Sequence, residues 1–213
     1  MPEELDELID QLERQAGRDN PPESTPDIGI IMGSDSDLDV MMGSETGRPG
    51  AYDALTDLGF EEQTDSENPP DSRFTFETCV VSAHRTPELV YAYAETAADR
   101  GIDVIIAGAG GKSADLPNMT ASIAYPLPVI GVPVQEKSLQ SVIGMPQGAP
   151  IVAVDAGKSF NAALSATQIL AREHTELREE LEGYHENLKR DVANVSERLH
   201  AGGTPAFKEQ CDG

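Results

Sequence analysis

The sequence predicts an α/β domain built on a parallel sheet. Past Asp27, short apolar runs alternate with helical patterns, and glycines and prolines separate the two. The runs are nearly continuous rather than alternating, as strands buried on both faces require. Five strands are expected, at Ile28–Met32, Phe74–Val81, Val104–Ala107, Val129–Val132 and Ile151–Val154. Helical stretches lie between them, best defined at Pro87–Arg100 and from Ser159 onward, so successive strands are joined by crossovers.

Ahead of the sheet, Leu5, Leu8, Ile9 and Leu12 stand at helical spacing within Glu3–Ala16, and Gly17 with Asp19-Asn20-Pro21-Pro22 ends the pattern. An acidic amphipathic helix on a linker follows, expected to be a solvated extension. The first crossover is long, from Ser34 to about Arg73, with a helix expected at Tyr52–Leu58 inside an acidic surface loop. Past the last strand, Asn161–Arg172 continues into Glu173–Leu199, where Leu177, Leu181, Tyr184 and Leu188 recur every three or four residues. That spacing implies a long C-terminal helix whose apolar stripe needs another surface to cover it. Three units result: a helix and linker over 1–26, an α/β domain over 27–172, and a C-terminal helix with a polar tail over 173–213.

The 213 residues include 38 acidic and 15 basic ones, for a net charge of −23. Nucleic-acid binding needs a basic footprint that this surface lacks, and the same repulsion opposes anionic lipid. A folded protein adapted to high salt is expected, because at molar salt the screening length shrinks to about 3 Å and self-repulsion fades. Cys79 and Cys211 show no metal or redox spacing. No basic, apolar leader opens the chain and no apolar run approaches ~18 residues, so a cytoplasmic location is expected.

In an open parallel sheet, ligands bind at the carboxyl ends of the strands. The first strand runs into Gly33-Ser34-Asp35-Ser36-Asp37, whose turn, hydroxyls and helix-start amides suit a phosphate; Ser and Asp are equally favoured helix caps. The second runs into Ser82-Ala83-His84-Arg85-Thr86-Pro87. An arginine there suits phosphate, and His84 is the only histidine outside the charged tail that holds His174, His185 and His200. The third runs into Ala107-Gly108-Ala109-Gly110-Gly111, where bare backbone can approach an anion or a planar ring. Neither P-loop spacing nor a dinucleotide fingerprint is present.

These segments resemble the PurE family of purine biosynthesis. Gly33–Asp37 is similar to its GSxSD, Ser82–Pro87 to its SAHRTP and Ala107–Gly111 to its AGAGG. Leu127–Val134, Met145–Pro150 and Asn161–Leu170 resemble its LPVxGVPV, MPxGxP and NAALxAxQIL, so ordered matches run from Ile28 to Ala171. The resemblance implies a three-layer flavodoxin-like fold, a homo-octamer and no metal, flavin or nucleotide cofactor. It implies an isomerase that moves a carboxylate from exocyclic N5 of an aminoimidazole ribonucleotide to ring carbon C4. Ser34, Ser82 and Arg85 would hold the ribose phosphate, Asp37 the ribose hydroxyls, and Gly110 and Gly111 the ring, with His84 as general acid and base.

Two departures stand out. Asp115 occupies the place of a common histidine, at the end of a Lys112–Asp115 stretch one residue longer than usual, and Asn118 replaces a common glycine. Beside a substrate carboxylate Asp115 would be repulsive, so it is expected to point away or to pair with Lys112. The alternatives are a carboxylase using free carbon dioxide at the same site, and a flavodoxin-like binding or receiver module in which Asp35 and Asp37 hold a metal.

Overall fold

The computed structural model describes residues 2–18, 25–44 and 47–211; the expected linker Asp19-Asn20-Pro21-Pro22 lies outside them. Six parallel strands form one sheet: β1 (Ile28–Met32), β2 (Glu61–Glu62), β3 (Thr75–Val80), β4 (Val104–Ala109), β5 (Val129–Pro133) and β6 (Val152–Ala153), in the order β2-β3-β1-β4-β5-β6. Without the added edge strand β2, this is the order of a doubly wound flavodoxin-like sheet. β1, β4 and β5 are buried throughout, which their unbroken apolar composition anticipates. The unexpected β2 consists of two glutamates and pairs only with β3, while the last strand is shorter than expected, because edge strands need less apolar sequence.

Helices cover both faces: α1 (Glu3–Ala16), α2 (Leu38–Met42), α3 (Ala51–Asp57), α4 (Pro87–Thr96), α5 (Leu116–Ile123), α6 (Leu139–Ile143), α7 (Ser159–Leu170) and α8 (Thr175–Cys211). One core joins β-strand residues such as Ile30 and Ile106 to α3 and α7; the other joins Ile31 and Ile105 to α4 and α5. Helix α4 starts as expected, with Pro87 in its first turn, but ends at Thr96 and gives way to turns before Gly101. Among the described residues no helix is long and apolar enough to cross a membrane.

Three expectations change. Helix α1 is not a solvated extension: it packs on α4, and Leu5, Ile9 and Leu12 lie against the second core. The acidic loop of the long crossover meets it, Gln15 donating to Ser66 at 2.9 Å and Arg18 pairing with Glu67 at 3.1 Å. The C-terminal helical run is broken at Ala171–His174, where turns close on Ile169 and Leu170 and Arg178 donates to the Ala171 carbonyl at 3.1 Å. The break folds the start of α8 back, so Leu177 is buried and Leu181 and Tyr184 pack on the protein's own core. The stripe needs a second surface only farther along, at Leu188, Val192, Val195 and Leu199, all exposed.

Candidate active site

Four strand ends and the start of α5 enclose a cleft of about 470 Å³. Ser34 and Asp37 enter it from the end of β1, and Ser82, His84 and Arg85 from the end of β3. Gly110 and Gly111 form its wall beyond β4. Every site residue expected from the sequence thus lines the same cavity. A separate cavity of about 380 Å³ lies under α1, away from these groups.

Local hydrogen bonds shape each loop. After β3, the Ser82 amide donates to Thr86 Oγ1 at 3.0 Å and the Thr86 amide to the Ser82 carbonyl at 2.9 Å. This closed turn presents His84 and Arg85 just ahead of α4. After β1, Ser34 Oγ accepts from the Ser36 amide at 3.3 Å and donates to Asp35 at 2.8 Å. Those contacts with Ser34 and the Ser36 amide hold the Asp35 carboxyl below the usual carboxylate range.

Arg85 ties the two loops together. Its Nη2 donates to the Gly33 carbonyl at 2.8 Å and its Nε to Ser82 Oγ at 3.3 Å. A guanidinium has five N–H donors, so three remain for a ligand. Lys137, from the end of β5, adds a second positive group to the cleft of a strongly acidic chain. Such a placement focuses an anion onto the site.

Asp37 is 6% exposed. Burial raises its carboxyl above the usual range, against the amides of Gly110 and Ser34, which favour the charged form. Gly110 permits this approach, since a Cβ there would lie 3.0 Å from Asp37 Oδ1. Gly111 turns the chain at φ +85°, a conformation suited to glycine.

Asp115 departs from expectation. It does not pair with Lys112 but faces His84: its Oδ2 lies 3.0 Å from His84 Nε2, and Ser141 Oγ donates to its Oδ1 at 3.2 Å. The sequence reading also missed Ser113, Gln135 and Lys137 on the cleft wall. Gln135 and Lys137 follow a strand directly, so the strand-end rule applied to β5 would have found them. Among the described residues no group of three His, Cys, Asp or Glu side chains is arranged to hold a metal ion.

A flavodoxin-like sheet with an imidazole, a guanidinium and hydroxyls converging at its carboxyl edge defines an α/β enzyme for a small anionic substrate. Residues 27–191 match the AIR carboxylase family, and the chain belongs to that family. It is 39% identical over 191 residues to the N5-carboxyaminoimidazole ribonucleotide mutase of Thermotoga maritima, covering 87% of this chain and 98% of the relative. The mutase of Bacillus subtilis is 44% identical over 182 residues, covering 82% and 98%. The phosphoribosylaminoimidazole carboxylase of Schizosaccharomyces pombe is 40% identical over 188 residues, which are 85% of this chain and 30% of that protein. In fold, the chain resembles Treponema denticola PurE with a TM-score of 0.62 at 22% identity, over 81% of this chain and 97% of that one.

Proposed function

We propose that the protein is an isomerase of purine biosynthesis that converts N5-carboxyaminoimidazole ribonucleotide into 4-carboxy-5-aminoimidazole ribonucleotide. The observation that carries this reading is the convergence of His84 with the phosphate-suited loops at Ser34 and Ser82–Arg85 in one cleft. Arg85, Ser34 and Ser82 hold the phosphate, Asp37 accepts from the ribose hydroxyls, and the Gly110–Gly111 backbone lies along the ring.

His84 then works twice. As an imidazolium it protonates N5, the N–C bond breaks and carbon dioxide leaves. C4 attacks the retained carbon dioxide, a C–C bond forms, and the neutral imidazole removes the C4 proton to restore aromaticity. The two transfers return the histidine to its starting state, so the site needs no cofactor.

The α/β unit over 27–172 carries this chemistry, and the appended 1–26 and 173–213 serve packing and assembly. The working form is a cytoplasmic homo-octamer that requires salt. The exposed apolar residues of α8 and the charge of −23 support that reading. The chain spans nearly the whole length of relatives named mutase but under a third of the one named carboxylase, which favours the mutase.

The test is kcat/KM for the N5-carboxylated substrate against that for the unsubstituted ribonucleotide with bicarbonate, at high potassium chloride. The first is expected to be larger. A faster second route at modest bicarbonate would replace the mutase by the carboxylase.

A further inference from the structure

We infer that Asp115 is a positioning residue that fixes the tautomer and orientation of His84, and that Ser141 and Asn118 aim it. This rests on His84 as the proton shuttle. Asp115 stands at the N-cap of α5, where an aspartate ordinarily accepts a hydrogen bond from its own helix, yet its side chain makes no such bond. Its two oxygens are committed instead to His84 Nε2 at 3.0 Å and Ser141 Oγ at 3.2 Å. The Ser141 carbonyl in turn accepts from Asn118 Nδ2 at 2.5 Å. Both departures from the family pattern, Asp115 and Asn118, therefore belong to one chain of contacts ending on the proposed catalytic imidazole.

Stability does not account for the pair. The side chains of His84 and Asp115 are 61% and 45% exposed, and exposed ion pairs contribute little to folding. Orientation does account for it. A carboxylate only accepts hydrogen bonds, so Nε2 carries the proton between the two groups. Nδ1 is left as the nitrogen that exchanges protons with substrate. It gives its proton to N5 and regains one from C4, while Nε2–H stays on Asp115 throughout. Asp115 also faces the positive charge present before each donation, which directs its own charge into the ring rather than onto the substrate carboxylate.

The test uses the full chain with 15N-labelled histidine at high potassium chloride, the His84 resonances being identified by their loss in His84→Asn. Long-range 1H–15N spectra of the neutral ring should show one Nε2–H tautomer in the parent and a mixture in Asp115→Ala. Asp115→Ala should lower kcat by about 10–100-fold, a part of the about 10²–10⁴-fold that a positioned general acid and base contributes, with KM changed less than about threefold. Asp115→Asn, which still offers an acceptor oxygen, should keep the tautomer and recover part of kcat. Ser141→Ala should act in the same direction more weakly and add nothing to Asp115→Ala. An unchanged tautomer with unchanged kcat in Asp115→Ala would overturn the inference. Tautomer mixing in that variant, in a protein inactive towards the carbamate substrate, would uphold the positioning and overturn the functional reading alone.

Discussion

Replacing Arg85 separates binding from chemistry. Two of its five donors hold Gly33 and Ser82, at 2.8 and 3.3 Å, which leaves three for the phosphate it is proposed to hold. Hydrogen bonds to charged groups contribute about 1.5–3 kcal/mol each. Loss of one strong contact or two weaker ones, about 3 kcal/mol, corresponds to about 10²-fold in affinity. Arg85→Ala should therefore raise KM by about 10²-fold with little change in kcat, because the phosphate contact is present in ground and transition states alike. Arg85→Lys should recover no more than about tenfold, since an ammonium cannot hold both loops and the phosphate together. Steady-state kinetics at one fixed potassium chloride concentration keep screening constant while the two parameters are separated. A fall in kcat at unchanged KM, or full recovery with lysine, would refute the assignment.

His84→Asn should lower kcat by at least about 10²-fold while leaving folding and phosphate-dependent binding intact, checked by turnover and a thermal shift with ligand; full activity would remove the mechanism. Light scattering should show an assembly that loosens as salt falls and shrinks when Leu188 and Val192 are both replaced by glutamate; a salt-independent monomer would contradict it. Asp27 is 8% exposed, and burial raises its carboxyl to about 6 although it accepts the Thr75 amide at 2.7 Å. The folded state binds that proton more tightly than the unfolded one, so the group's stabilisation is full below the ordinary carboxylate range and is lost as pH rises through about 6. Asp27→Asn should thus be more stable than the parent at pH 7 by up to about 3 kcal/mol, with the advantage vanishing towards pH 4. A difference in denaturation free energy that is flat across that range would refute this.

What could be read from sequence was what local pattern determines. β1, β4 and β5 were legible because strands buried on both faces are apolar at every position. The loops bearing Ser34, His84 and Arg85 were legible because their turns close within a few residues. β2 was not, since two glutamates gain strand geometry only from pairing with β3. The break before α8 was hidden because apolar spacing continues across it, and it shows only where Leu177 turns into the core. The amphipathic stripe of α1 was visible but its partner α4 was not, as periodicity identifies a face and not what covers it. Asp115 and His84 lie 31 positions apart, and their meeting depends on how α5 docks against α4 and β4 and on Ser141 from α6.

The central claim is that the carbon dioxide released from N5 is the one that C4 captures, with His84 moving the proton. A single turnover with excess enzyme, substrate labelled with 13C in the N5 carboxylate and unlabelled bicarbonate in the buffer tests it directly. Mass spectrometry of the product is expected to show the label retained in the C4 carboxylate of the parent protein, with conversion abolished in His84→Asn. Product carrying carbon from the buffer in the parent protein would contradict the account.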